Sequence, residues 1–485
     1  MRRAARWRRS LLLAMAAAVA LLLPASALSA AGVSRAPVAD RLEEIDSYVR
    51  DQMDKGNIPG LAIAVVEGGD TVVSRGYGWA DRAEKRRVTD RTLFELGSTS
   101  KAFTALAVLR LEAEGRLDLN APASRYLPWL SFRYKGEEAD VTLSQLLHHT
   151  SGIPFRTIGD IPAARDEGAL ERTVRGLSGT ELDFAPGEKY LYATINYDVL
   201  GLIVQQASGQ SYESYVREWI LAPLGLEDTY VYEAPAGADR AQGYKFGLLG
   251  ARAYDAPAYR GNVPAGYVIS NAADMAKWLK LQLGVSPGTG SGAGSGAEAG
   301  DGEGAGAGSG SGAGNGKGAG AGSGSGAEAG DGEGAGSGSE AVSGSGSGSE
   351  TVSGAGLDPA LIGKSHEPDR TVKPSPDGSS YAAGWSVYQS GEGEWSHGGN
   401  NPNFSSYFVF RPSEGIGVAV LANLNSAYVQ AIGQGVLNLI LGKELPDPAK
   451  DMYKSMDSAA SAVLIVAAPV LLLTLWLLGT AVVQL

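Results

Sequence analysis

The sequence predicts an α+β fold: an antiparallel sheet flanked by helices and built from both chain ends, a mostly helical middle, and a C-terminal transmembrane helix. Three observations lead there. Two early segments, "LAIAVVEGG" and "DTVVSRGYGWA", read as strands with no antiparallel partner nearby except each other. Residues 357–447 are rich in further strands, "YAAGWSVYQ", "EWSHGG", "SSYFVFRP" and "GIGVAVLANL", which would complete their sheet. Near the C-terminus, Ala459 to Val483 runs without a charge. As a helix that run is roughly 37 Å long, enough to cross a hydrocarbon core of about 30 Å. Pro469 inside it is tolerated in a membrane helix. A buried soluble helix is the competing reading.

The elements follow in chain order. Residues 1–31 read as an export signal: the basic "MRRAARWRRS", an apolar core from Leu11 to Leu23, then "ASA" at Ala25 to Ala27 or "SAA" at Ser29 to Ala31 as cleavage site. A retained N-terminal anchor is the alternative. Val38, Leu42, Ile45, Val49 and Met53 trace one face of an amphipathic helix before the first strand. Ala102 to Glu114 is apolar on most faces, as a central buried helix should be, and Gly115 suits its C-terminal cap. "TLSQLLHHTSG", "NYDVLGLIVQQASG", "SYESYVREWILAPLG" and "NAADMAKWLKLQLG" follow as further helices with glycine stops.

Residues 288–356 are almost entirely Gly, Ser and Ala with scattered acids, and "GAEAGDGEGAG" recurs at Gly296 and Gly326. Such a segment has too little apolar surface to offset the entropy of ordering. It reads as a flexible acidic insertion within one domain, made of residues 32–287 and 357–447; a structured glycine-rich repeat is the alternative. Net charge is −12, and −17 once the five arginines of the leader are removed. That balance argues against nucleic acid as a partner. The chain has no cysteine and four histidines, which excludes disulfides and thiolate chemistry and disfavours a histidine-rich metal site.

Chemistry enters at "FELGSTSKAF", Phe94 to Phe103. Ser98 and Lys101 stand three apart at the head of an apolar run, so a helix would put both on one face. A desolvated lysine with a lowered pKa can take a serine proton. Alternatively, Ser98 is an N-cap and Lys101 is solvated. Tyr192 precedes an apolar helix, where most tyrosines are core. His397 lies between a strand and two glycines; it can orient a substrate carboxylate or carbonyl, or be structural.

Taken in order, "IPGLAIAVVEGG", "LFELGSTSKAFTALAVLRLEAEGRLDLNAPASRYLP", "TLSQLLHHTSGIP", "FAPGEKYLYATINYDVLGLIV", "PAGYVISNAADMAKWL" and "WSHGGNNPNFSSYFVFRP" resemble the serine beta-lactamase and penicillin-binding-protein-like hydrolases. The resemblance is in particular to the class C-like group and covers about Val38 to Leu445. It implies an all-helical subdomain beside the sheet, with the site in the cleft between. Ser98 would be the nucleophile, with Lys101 and Tyr192 as proton-transfer groups. Tyr192 would have its pKa lowered by a cationic Lys101. His397, Gly399, Asn400 and Thr194 would contact substrate or the oxyanion, the hole being the backbone N–H groups of Ser98 and Asn400. His149 matches a family position and reads as structural.

Two positions depart from the pattern. Thr194 replaces the usual asparagine, which bears on amide recognition, and Asn403 replaces a common glycine, which would narrow the cleft. No cofactor is implied. The expected partners are a small-molecule or peptide substrate and, through the terminal helix, a membrane. The chain is read as a monomer at the cell membrane with its catalytic domain outside the cytoplasm. Esters, D-amino-acid peptides and beta-lactams are the candidate substrates. The rival class is a penicillin- or cell-wall-peptide-binding sensor without turnover.

Overall fold

The computed structural model describes residues 38–284, 357–388, 393–447 and 449–483. The expected export signal and the glycine-rich insertion lie outside the described residues.

Eight strands form the main sheet: β1 (Gly60–Glu67), β2 (Asp70–Asp81), β3 (Arg86–Arg87), β4 (Ser379–Tyr381), β5 (Ser386–Tyr388), β6 (Glu394–Asn400), β7 (Ser405–Arg411) and β8 (Ile416–Ala422). Their order is β4-β5-β6-β7-β8-β1-β2-β3, antiparallel throughout. β1 pairs on one side with β2 and on the other with β8, Leu61 opposite Ala422 and Glu67 opposite Ile416. The early strands thus find their missing partner at the far end of the chain.

Alternation along β1 explains the layers. Leu61, Ile63 and Val65 join a core with Ile45, Val49 and Met53 of helix α1 (Leu42–Gly56) and with Ile432 and Val436 of a later helix, Tyr428–Leu441. Ala62, Ala64 and Val66 point to the opposite face and the second core. There they meet a layer containing Phe103 of α2 (Lys101–Ala113) and Trp278 of the helix Ala272–Gln282, whose rings stack at 4.1 Å. α2 shows no single polar face: every residue from Lys101 to Leu109 is buried. The middle of the chain also folds as anticipated into helices such as α3 (Asn196–Ser208), stopped by Gly209 at φ 71°. It is not purely helical, because Phe132–Tyr134, Glu137–Ala139 and Thr180–Glu181 add a small sheet.

Two further differences from the sequence reading have clear causes. "YAAGWSVYQ" is not one strand. Gly384, at φ 87°, turns the chain between β4 and β5, and its bare Cα lets it sit against the backbone of Ala102. The C-terminal helix α4 (Met452–Val483) begins at Met452 rather than Ala459. Asp451 explains the earlier start, since its carboxylate accepts from Lys454 N at 3.0 Å as an N-cap. The same carboxylate accepts from Ser426 Oγ at 2.7 Å and Ala427 N at 3.0 Å, tying α4 to the loop before Tyr428–Leu441. By length and composition α4 can cross a membrane; its most apolar window has a mean hydropathy of 2.5 and none of it is buried.

The segments flanking the insertion lie side by side: His366 Nε2 and Gln282 Oε1 are 2.8 Å apart. Replacing residues 288–356 with a short Gly-Ser loop should therefore leave the fold intact. Each halving of a closed loop changes its entropy by only about 0.6 kcal/mol. Thermal unfolding checks this: a melting temperature within a few degrees is expected, and failure to fold would show that the insertion is structural.

Candidate active site

The site begins with how Ser98 is held. Residues Gly97–Ser100 form a 3₁₀ turn that runs directly into α2. The cap position is Leu96, and no side chain caps either helix start, so Ser98 is not an N-cap. Gly97 has φ 57°, and a Cβ there would stand 2.5 Å from the Asn400 nitrogen. Only glycine lets the serine turn and the end of β6 approach this closely. Hydroxyls lock the turn: Ser406 Oγ and Thr99 Oγ1 donate to the Leu96 carbonyl at 2.6 and 2.9 Å, while Ser100 Oγ accepts from Val268 N at 3.0 Å.

One turn on, Lys101 is fully buried. Its Nζ donates to Ser98 Oγ at 3.1 Å and to the Ala265 carbonyl at 2.8 Å. Burial pulls its pKa down to about 7, and the buried Asp198 on α3 works in the opposite direction. Desolvation pushes the Asp198 carboxyl well up in turn, opposed by Lys101. Hydrogen bonding orients the Asn262 amide with its nitrogen toward Asp198, at 2.8 and 3.2 Å from the two oxygens.

Tyr192 lies beside the pair, its ring centroid 5.2 Å from Lys101 Nζ. The expected lowering of its pKa is not found. Burial raises the phenol, and contacts with the Ser98 and Thr194 hydroxyls oppose the rise only in part. The expectation took Lys101 as cationic beside the phenol; both groups are desolvated, which favours the neutral form of each. Tyr192 is therefore a neutral phenol, a proton donor. His149 supports it. His149 Nδ1 accepts from Ala193 N at 3.3 Å and from Asn196 Nδ2 at 3.1 Å, and its ring lies 4.3 Å from that of Tyr192. This fits the structural role read from the sequence.

His397 is in the same cleft but is fully engaged. Nδ1–H donates to the Gly398 carbonyl at 2.7 Å, and Nε2 accepts from the Tyr381 hydroxyl at 2.9 Å. Burial and the neighbouring Lys101 bring its pKa down to about 3, so it is neutral near pH 7. It cannot serve as a cationic carboxylate binder.

Ser98, Tyr192, Thr194, His397 and Asn400 line one cavity of about 440 Å³ with Asn262, Asn401, Tyr381 and Phe155. Gly399 does not line it. The Cα of Gly399 packs against the Leu96 carbonyl and Ser406 Oγ, so this glycine serves internal contact rather than substrate access. Asn403 does not narrow the cleft either. It is buried behind β6 with Nδ2 donating to the Tyr254 carbonyl at 3.0 Å. A slightly larger cavity of about 500 Å³ lies on that side and includes Arg240 and Glu95, but it does not reach Ser98. Asn401 stands between the two, donating to Glu95 Oε2 at 2.7 Å and the Gly266 carbonyl at 3.0 Å. Among the described residues no cluster of His, Asp and Glu is arranged to hold a metal.

Sequence reasoning missed Tyr381, Asp198, Asn262 and the Ala265 carbonyl. Asp198 left a signal: an acid inside the otherwise apolar run "NYDVLGLIV". The others come from distant segments whose convergence no local pattern encodes.

This geometry agrees with what the chain resembles. "Protein flp" of Staphylococcus aureus (strain MW2) is 28% identical over 393 residues, covering 80% of this chain and 64% of that protein. The chain thus spans less than two thirds of that relative's length. "Penicillin-binding protein 4*" of Bacillus subtilis (strain 168) is 34% identical over 203 residues, 40% of this chain and 43% of that protein. Among solved structures, the octameric penicillin-binding protein homologue from Pyrococcus abyssi superposes with a TM-score of 0.62 at 25% identity, over 84% of this chain and 79% of that one. Residues 45–438 match the family described as Beta-lactamase, a span that takes in every side chain of the site, and the chain belongs to that family.

Proposed function

We propose that the chain is a serine acyl hydrolase, tethered to a membrane by α4 with its catalytic domain outside the cytoplasm, that cleaves neutral esters in preference to carboxylate-bearing amides. One observation carries the reading: a fully buried lysine amine, its pKa brought down to about 7, within hydrogen-bond reach of Ser98 Oγ at 3.1 Å. Near neutral pH a large share of that amine is the free base.

In this reading Ser98 Oγ attacks the substrate carbonyl and its proton passes to Lys101 Nζ. The Ala265 carbonyl holds the amine in place meanwhile. The backbone N–H groups of Ser98 and Asn400 receive the oxyanion, each such donor being worth roughly 3–4 kcal/mol of barrier. Tyr192, a neutral phenol, gives its proton to the leaving oxygen and is reprotonated from Lys101. The C–O bond breaks, and water then resolves the acyl-enzyme by the reverse proton path. All these groups come from one chain, so the reading requires only a monomer. The domain limits of 32–287 and 357–447 and the leader over 1–31 belong to the same proposal.

The substrate preference rests on the cavity wall. Among the described residues its lining includes no lysine or arginine, and the histidine there, His397, is neutral. Phe155 and Ile158 at its edge are 51% and 39% exposed and offer apolar contact. A beta-lactam or a peptide with a free C-terminus would bring a carboxylate for which the described lining supplies no cation of its own, the Lys101 amine being buried behind it and held by Ser98 Oγ and the Ala265 carbonyl. Thr194, engaged with Tyr192, offers a hydroxyl in place of an amide.

Two experiments test this. Ser98→Ala should abolish covalent labelling by a fluorophosphonate and lower ester turnover by several orders of magnitude, with the fold intact by circular dichroism. Equal labelling of another serine contradicts the assignment, and a single stoichiometric burst from the unaltered chain would instead mark a binder without turnover. For matched substrates, kcat/KM for a neutral ester should exceed that of its carboxylated analogue by about tenfold or more, since an unpaired polar group costs about 1–3 kcal/mol. An equal or reversed ratio overturns the substrate preference.

A further inference from the structure

Outside helix α4, few large apolar side chains of the described residues are exposed. Phe155 and Ile158 edge the active-site cavity, and Leu445 lies in the segment leading to α4. The remaining pair is Leu248 and Leu249, 40% and 59% exposed at the tip of a hairpin formed by Tyr244–Gly247 and Gly250–Ala253.

The tip is unusual in three respects. Leu249 has φ 72°, a left-handed conformation that costs a leucine and is normally given to glycine or asparagine. Leu249 N donates to Ser461 Oγ on α4 at 2.8 Å, just inside the uncharged run that starts at Ala459. Finally, the turn's Leu248 carbonyl accepts from Arg252 Nε at 2.8 Å, so it does not depend on water for a partner. Arg252 is thus engaged by the turn itself, and Lys245 on the facing strand lies over the Tyr254 ring, its Nζ 3.6 Å from the centroid.

The hairpin is also rooted in the catalytic body. Tyr244 N donates to the Asn423 carbonyl at 2.8 Å, and its hydroxyl accepts from Arg82 N at 2.8 Å. At the other end, Asp451 ties the start of α4 to Ser426 and Ala427. The body therefore grips α4 at two heights, at Asp451 and Ser461, roughly 15 Å apart along a helix axis.

We infer that the Leu248–Leu249 tip is a second membrane contact, inserting into the boundary between headgroups and acyl chains of the bilayer that α4 enters. The inference rests on the proposed membrane role of α4. The occupant of this surface is lipid: the tip is apolar, both of its leucines are exposed among the described residues, and it is fixed beside the first turns of an apolar helix. With two contacts the catalytic body cannot swivel about a single stalk, and the cleft is held at one orientation to the membrane.

The absence of cysteine makes the test clean. In the full chain, Leu249→Cys and, separately, Leu473→Cys are labelled with an environment-sensitive fluorophore and reconstituted in phosphatidylcholine vesicles. Nitroxide lipids place the quencher either near the headgroups or near the midplane. The label at 249 should shift to the blue on reconstitution and lose most of its emission to the shallow quencher, while the label at 473 responds to the deep one. A water-like, unquenched label at 249 with a quenched label at 473 overturns the second contact and leaves the anchor standing. A water-like label at 473 overturns the anchor, and the inference with it.

Discussion

The structure depends on one constraint: an amine buried beside a serine. An ammonium taken out of water costs several kcal/mol unless it is paired, and a buried lysine answers by giving up its proton. Lys101 has Ser98 Oγ and the Ala265 carbonyl as partners, and the buried Asp198 carboxyl opposes the fall in its pKa only in part. Two acceptors hold its position, and burial leaves its proton loosely bound. The same desolvation that frees the amine keeps Tyr192 a phenol and His397 an imidazole. One environmental cause thus sets the protonation of all three side chains: Tyr192 and His397 are neutral at pH 7, and Lys101 gains or loses its proton around that pH.

The architecture exists to hold that amine dry. α2 enters the core on all sides, and Gly384 seats the β4–β5 turn against Ala102 while Gly97 seats the serine turn against Asn400. Both contacts bring the late part of the chain onto the early part. They require the sheet to be closed by β8 pairing with β1 across nearly the whole sequence. A long insertion is compatible with this because its flanks are already joined, at Gln282 and His366, away from the residues that touch Lys101.

The sequence made some of this legible and not the rest, for physical reasons. Spacing of three residues put Ser98 and Lys101 on one helical face, and the apolar run after them announced a buried helix; both are local properties. The unpaired early strands told of a distant partner, because a half-finished sheet is itself a local contradiction. Protonation was misread at Tyr192, since it depends on how deeply both neighbours are buried, which only the assembled cleft decides. Gly399 and Asn403 were placed correctly along the chain but given the wrong surroundings: one packs on Leu96 and the other faces Tyr254. Tyr381, whose hydroxyl donates to His397 Nε2, comes from a stretch that reads as plain strand.

The most direct measurement is the titration of Lys101 itself. In protein carrying ¹³C-labelled lysine, the Cε resonance of Lys101, assigned by its disappearance in Lys101→Arg, reports the charge of the amine as pH is varied. The group is lowered from 10.5 to about 7, so it should be protonated in acid and lose its charge as pH rises through neutrality. A midpoint near 7 agrees with a buried base poised to receive the Ser98 proton. A midpoint near 10 would mean that the amine stays charged at neutral pH, and the account of this site would be wrong.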